Sequence, residues 1–184
     1  MNELRARVLN DAKNWLDTPY QHQASQCGAG TDCLGFVRGI YRELYGKEPQ
    51  TIPPYTPDWA EQCGEETLLN AARTWLCPIS NPLVQPGDVL LFRMTPQSPC
   101  KHIAILTAPD IITHAYWGRA VVESHFVPYW KRRWAYSFAF PQAPLPKFPL
   151  IDRKRVHDHT CHSCGEFCGE RSHASGNDVS TVSR

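Results

Sequence analysis

The sequence predicts an α+β domain in which helices come first and an antiparallel sheet follows. Apolar residues recur at helical spacing early in the chain, as Leu4, Val8, Leu9, Ala12, Trp15 and Leu16, and again as Leu34, Val37, Ile40, Tyr41 and Leu44. After Pro86-Gly87 the period changes to short β-branched or aromatic runs separated by turn residues. Helices and strands segregated in this way describe α+β rather than an alternating α/β chain.

Residues 2–17 read as an amphipathic helix ended by Pro19. The polar loop YQHQASQCGAGTD follows, and a second helix starts near Cys33 and closes at Gly46, where a C-terminal cap belongs. TIPPYTPDW is a proline-rich connection, and Thr56-Pro57 is a reasonable helix start for a stretch running to about Leu76 with a break near Gly64. DVLLFR, HIAILT, IITHAYW, AVVES and WAYSFAF then read as strands of a meandering sheet. At residue 141 the composition shifts: PQAPLPKFPL carries four prolines and cannot continue a sheet. The expected organisation is one domain over 1–140, with a proline-rich linker and a polar, disordered tail over 141–184.

A chain of 184 residues with 42% apolar and 20% charged residues can build one real core. With 19 Lys+Arg against 18 Asp+Glu, nothing electrostatic points to nucleic acid or an anionic membrane as partner. The N-terminus MNELRARVLNDAKNWL lacks the apolar core of a secretory signal, and no stretch approaches membrane-spanning length. The reading is a protein made in the cytoplasm, whose work outside would follow lysis or delivery on a particle. Of the eight cysteines, Cys27, Cys33, Cys63, Cys77 and Cys100 read mostly as reduced thiols in a chain without an export signal.

Cys33, in GTDCLGFV, stands where loop becomes helix. A helix N-terminus favours a thiolate by only about 1–2 kcal/mol, so full activation needs an imidazole within reach. His102 opens one strand and His114 lies in the next. In an antiparallel pair they share a face if the register places them opposite or diagonal, and His114 could then orient His102. A register slipped by one separates them. The bland alternative is two partly buried strand histidines. Glu123 or His125 could replace His114 as orienter, and His22 in the preceding loop could touch substrate. Trp117, Trp130 and Trp134 read as sheet packing, with an exposed one able to stack on sugar or peptide. A Cys27–Cys33 disulfide would disable the site. In the tail, His157, Cys161, Cys164 and Cys168 are candidate zinc ligands, with a polar extension without metal as the alternative.

The run TPY, then G-x-DC-x-GFV, PGDVLLF, KHIAI and IITHA resembles the NlpC/P60 family of cell-wall cysteine peptidases across roughly residues 10 to 140. YQHQAS, ESHFVPYW and KRRWAYSFAFP resemble more particularly its phage and gene-transfer-agent branch. The resemblance implies a papain-like α+β fold with the cysteine on a helix packed against the histidine-bearing sheet. It implies Cys33 as nucleophile, His102 as general base, His114 as orienting residue and Tyr20 in the oxyanion site or cleft. Asp32 would contact the free amine of the peptide stem. Leu34 stands where relatives usually have a substrate-binding serine, which puts the stem preference in question. The implied activity is hydrolysis of peptidoglycan stem peptides at the γ-D-glutamyl–diaminopimelate bond, without a cofactor, by a protein carried with phage-like tail proteins. An acyltransferase or amidase on the same residues, or a catalytically silent tail component, are the alternatives.

Overall fold

The computed structural model describes residues 2–56 and 64–144. The chain divides into two units, Met1–Pro146 and Lys147–Arg184, and all described residues belong to the first. The proposed tail and its candidate zinc ligands, and Cys63, lie outside the described residues.

Helix α1 spans Glu3–Asn14. Asn2 caps it by accepting the Arg5 N–H at 2.9 Å. It is shorter than expected, and Pro19 does not end it: Asp17, at φ 62°, already turns the chain away. Within the loop that follows, a small hairpin pairs β1 (Ser25–Gln26) with β2 (Gly30–Thr31), which the sequence pattern missed because its residues are polar or small. Helix α2 spans Cys33–Tyr45, capped by Asp32 and closed by Gly46 at φ 79°, as expected. Helix α3 covers only Thr67–Trp75. Of the helix expected from Thr56, residues 57–63 lie outside the described residues, and Gly64 at φ 63° takes a conformation no helix accepts.

The sheet has six antiparallel strands in the order β3-β8-β4-β5-β6-β7. They are β3 (Cys77–Ile79), β4 (Val89–Arg93), β5 (Cys100–Ala108), β6 (Ile111–Ala115), β7 (Val121–His125) and β8 (Trp134–Ala139). β4 to β7 form the expected meander, but β8 returns past it to pair with β4, with β3 at the edge. A short helix α4, Pro128–Lys131, makes that return.

Strand alternation divides the apolar residues into two layers. Val89, Leu91, Ile103, Ile105 and Phe138 pack with Phe36, Val37 and Ile40 of α2 and with Val8, Ala12 and Trp15. Leu90, Phe92, Ala104, Leu106, Ile112 and Phe126 form the second layer, with Trp130 and Trp134 against it. Helix α2 approaches its neighbours closely because two of its residues lack a Cβ. A methyl at Gly35 would strike the Ala24 carbonyl oxygen, and one at Gly39 the Trp15 ring. α2 is therefore pinned on both flanks, and its N-terminus is fixed against the loop that precedes it.

Candidate active site

Cys33 is the first residue of α2, and its position follows from the cap. Asp32 Oδ1 accepts the Gly35 N–H at 2.7 Å, and Oδ2 accepts the Gln23 N–H at 2.8 Å and the Tyr55 hydroxyl. The side chain is thereby locked, and Asp32 is only 3% exposed. The backbone N–H groups of Ile103, Leu34 and Cys33 itself are near enough to favour the anionic form of the Cys33 sulfur. Ile103 directly follows His102, so the thiol sits against β5 beside that histidine.

On the sheet, Ile105 pairs with Thr113 and Leu106 with Ile112. This register makes His114 the diagonal neighbour of His102, one of the placements that lets the two cooperate. His102 Nε2 and His114 Nδ1 are 2.8 Å apart. His114 is completely buried, and its Nε2 is 3.0 Å from Ser124 Oγ on β7. The Trp130 indole stacks on the His102 ring at 5.3 Å and 25°, and meets His114 edge-on.

Cys33, His102 and His114 line one cavity of about 350 Å³, together with Tyr20, His22, Asp32 and Leu34. The structure thus brings these seven candidates to one place. Glu123 and His125 are excluded by parity. They pair with Thr113 and Ile111, so they fall on the face opposite to His114. His22 is held at the cavity wall, its Nε2 2.8 Å from the Tyr55 carbonyl oxygen and its Nδ1 3.6 Å from Asp32. Cys27 and Cys33 are free thiols, and the Cys27 thiol donates to the Asn14 carbonyl at 3.4 Å. Trp130 does more than pack the sheet, while Trp117 is 64% exposed at the cavity.

Two residues, Ser124 and Tyr55, escaped the sequence reading, and a third, Trp130, was read only as sheet packing. Ser124 could have been found, since it lies two residues from Val122, the partner of His114, and so on the same face. Tyr55 and Trp130 come from a proline-rich loop and a four-residue helix, neither of which carries a period.

Burial governs the charges here. It pushes the Cys33 thiol up to about 12, with the Asp32 carboxylate adding to the effect, while the three backbone N–H groups oppose it. It pushes His102 down to about 3, where His114 also contributes, and His114 down to about 4. Tyr20 is raised to about 12 by burial, then by Asp32 and Cys33, and so remains a phenol able to donate. The resting site holds a neutral thiol beside two neutral imidazoles. With His102 Nε2 committed to His114, Nδ1 is the ring nitrogen that this pair leaves unused. Among the described residues no group of His, Cys, Asp or Glu is arranged to hold a metal.

Helices carrying a capped cysteine, laid on an antiparallel sheet that carries two linked histidines, define an α+β protein with a half-buried thiol–imidazole site. The model of the NlpC/P60 family matches residues 17–138, and the chain belongs to that family. It is 28% identical over 133 residues to the murein DD-endopeptidase MepS/murein LD-carboxypeptidase of Escherichia coli K12, covering 72% of this chain and 61% of the relative. It is 23% identical over 155 residues to the γ-DL-glutamyl hydrolase of Bacillus subtilis 168, covering 82% of this chain and 33% of that one. The chain therefore spans less than two thirds of the length of these relatives. A solved NLP/P60-family structure from Staphylococcus aureus, similar to lipoprotein, superposes with a TM-score of 0.54 at 17% identity, over 76% of this chain and 42% of that one. That likeness establishes the fold. No helix among the described residues is long and apolar enough to cross a membrane.

Proposed function

We propose that this protein is a cysteine endopeptidase that hydrolyses peptidoglycan stem peptides at the γ-D-glutamyl–diaminopimelate bond. The observation that carries the proposal is the His102–His114 pair, hydrogen-bonded and lining the same cavity as a thiol at a helix N-terminus. The relative named a murein DD-endopeptidase supports the substrate class, and the relative named a γ-DL-glutamyl hydrolase supports a γ-glutamyl bond.

In this mechanism Cys33 Sγ attacks the amide carbonyl carbon while its proton passes to His102 Nδ1. His114 accepts the His102 Nε2–H, which fixes the tautomer, and donates its own Nε2–H to Ser124. The carbonyl oxygen becomes an oxyanion that the Cys33 backbone N–H and the Tyr20 hydroxyl can stabilise. The C–N bond then breaks as His102 returns the proton to the departing amine. Water attacks the resulting thioester and gives a proton to His102, which passes it to the departing Cys33 sulfur as the new carboxylic acid is released. Leu34 and His22 line the cavity that would receive the stem. The likeness of YQHQAS, ESHFVPYW and KRRWAYSFAFP to phage sequences supports delivery on a phage-like tail.

Purified diaminopimelate-type muropeptides digested with the protein and analysed by mass spectrometry test the reading. New amines on diaminopimelate are expected, and Cys33→Ala should yield none. Products cut instead at the cross-link D,D bond would replace the bond assigned. A product joined to an added amine acceptor, with no hydrolysis, would favour the acyltransferase. Equal digestion by Cys33→Ala would overturn the mechanism.

A further inference from the structure

We infer that the aromatic rim of the active-site cavity is a saccharide subsite, so that the stem peptide is cut while its amino end is still attached to the wall glycan. This deepens the peptidoglycan reading above and depends on it. Five large hydrophobic side chains are exposed among the described residues, and three of them, Tyr116, Trp117 and Tyr129, line this one cavity. Exposed apolar groups gathered at a cleft mark a surface that expects a partner.

These rings are held rather than loose. Gly118, at φ 70°, makes the β6–β7 turn possible, the Tyr116 N–H donates to Ala120 O at 2.9 Å, and the Arg119 N–H donates to Tyr116 O at 3.0 Å. The same turn is tied to the wall of the cavity, because the Tyr20 N–H donates to Arg119 O at 2.8 Å. Trp117 leans on Tyr20 at 5.1 Å, and the Arg133 guanidinium lies 3.8 Å over the Tyr129 ring. A pyranose offers a flat C–H face to such rings, and its hydroxyl and N-acetyl groups can use the phenol and guanidinium donors. Rings fixed in advance lose little entropy on binding.

The second observation concerns the amino end of the stem. A detached peptide carries a free ammonium there, and Asp32 is the carboxylate in place to receive it. Three of its roughly four acceptor positions are already taken by Gly35, Gln23 and Tyr55, and it is 3% exposed. An acylated amino end carries no charge and needs no carboxylate. The occupied Asp32 and the aromatic rim point to the same substrate, a stem still joined to sugar.

The experiment compares kcat/KM for a disaccharide-tetrapeptide and for the free tetrapeptide of the same stem, using the full chain. Wild type should favour the disaccharide form by about tenfold or more, as expected for one well-placed ring contact. Trp117→Ala should collapse that ratio, and Trp117→Phe should keep most of it. Equal rates on the two wild-type substrates, or a Trp117→Ala loss of the same size on both, would overturn the saccharide subsite while leaving the peptidase reading standing. Failure of wild type to cut either substrate would overturn both.

Discussion

Acid should weaken this fold through His114. Its burial holds the imidazole at about 4, against 6.5 when exposed. The folded value lies below the unfolded one, so between them the unfolded chain binds more protons and stability falls as pH falls. The contribution is whole above 6.5, and each pH unit below it costs ~1.4 kcal/mol until the folded value is reached. At about pH 5 the loss from His114 is therefore ~2 kcal/mol, and His102, held at about 3, adds a comparable amount. Urea unfolding followed by circular dichroism at about pH 7.5 and about pH 5 measures it, with His114→Gln beside the wild type. Whatever the substitution costs at neutral pH, and whatever the carboxylates contribute, cancels when the two pH differences are compared. Wild type should lose at least ~2 kcal/mol more than the variant over this interval. Equal losses, within a few tenths of a kcal/mol, would show that His114 is not held neutral by its surroundings.

His102→Ala should lower kcat by about 10²–10⁴ on muropeptides, measured by amine release, because the general base is gone. Ser124→Ala leaves a buried His114 nitrogen without its partner, so kcat should fall about tenfold with KM little changed, and Ser124→Thr should restore most of the rate. The kcat/KM profile should show a broad plateau, its acid limb below 6.5 and its alkaline limb above 9.0, since burial lowers His102 and raises Cys33. Gly35→Ala should cost about 1–3 kcal/mol in urea unfolding or more, as its methyl meets the Ala24 carbonyl.

The sheet and α2 were legible because their signals are periodic. Runs such as VLLFR and HIAILT alternate or cluster as buried strands must, and α2 carries both a cap residue and a terminal glycine. The β1–β2 hairpin and α4 were not legible, since two-residue strands and a one-turn helix hold no period to detect. Nor does local pattern reveal that β8 skips back to β4; that order is set by tertiary packing of Phe138 beside Val89. At the site, parity made His114 a possible partner of His102 from sequence, but only the β6–β7 register of the structure removed Glu123 and His125. Tyr55 and Trp130 depend on loop paths, which composition does not encode.

Magnitudes decide which charge state the thiol rests in. A helix start favours the anion by only about 1–2 kcal/mol, too little by itself for a resting thiolate. Raising the thiol from 9.0 to about 12 corresponds to ~4 kcal/mol against the anion, so enclosure outweighs the helix. The same enclosure opposes an imidazolium at His102. Either charge alone is expensive in this cavity, whereas the two together, formed by one proton crossing from sulfur to Nδ1, attract each other in the low dielectric that penalises them singly. In the proposed mechanism the nucleophile is thus made at the moment of attack, as the proton moves to a base whose orientation His114, Ser124 and Trp130 have already fixed.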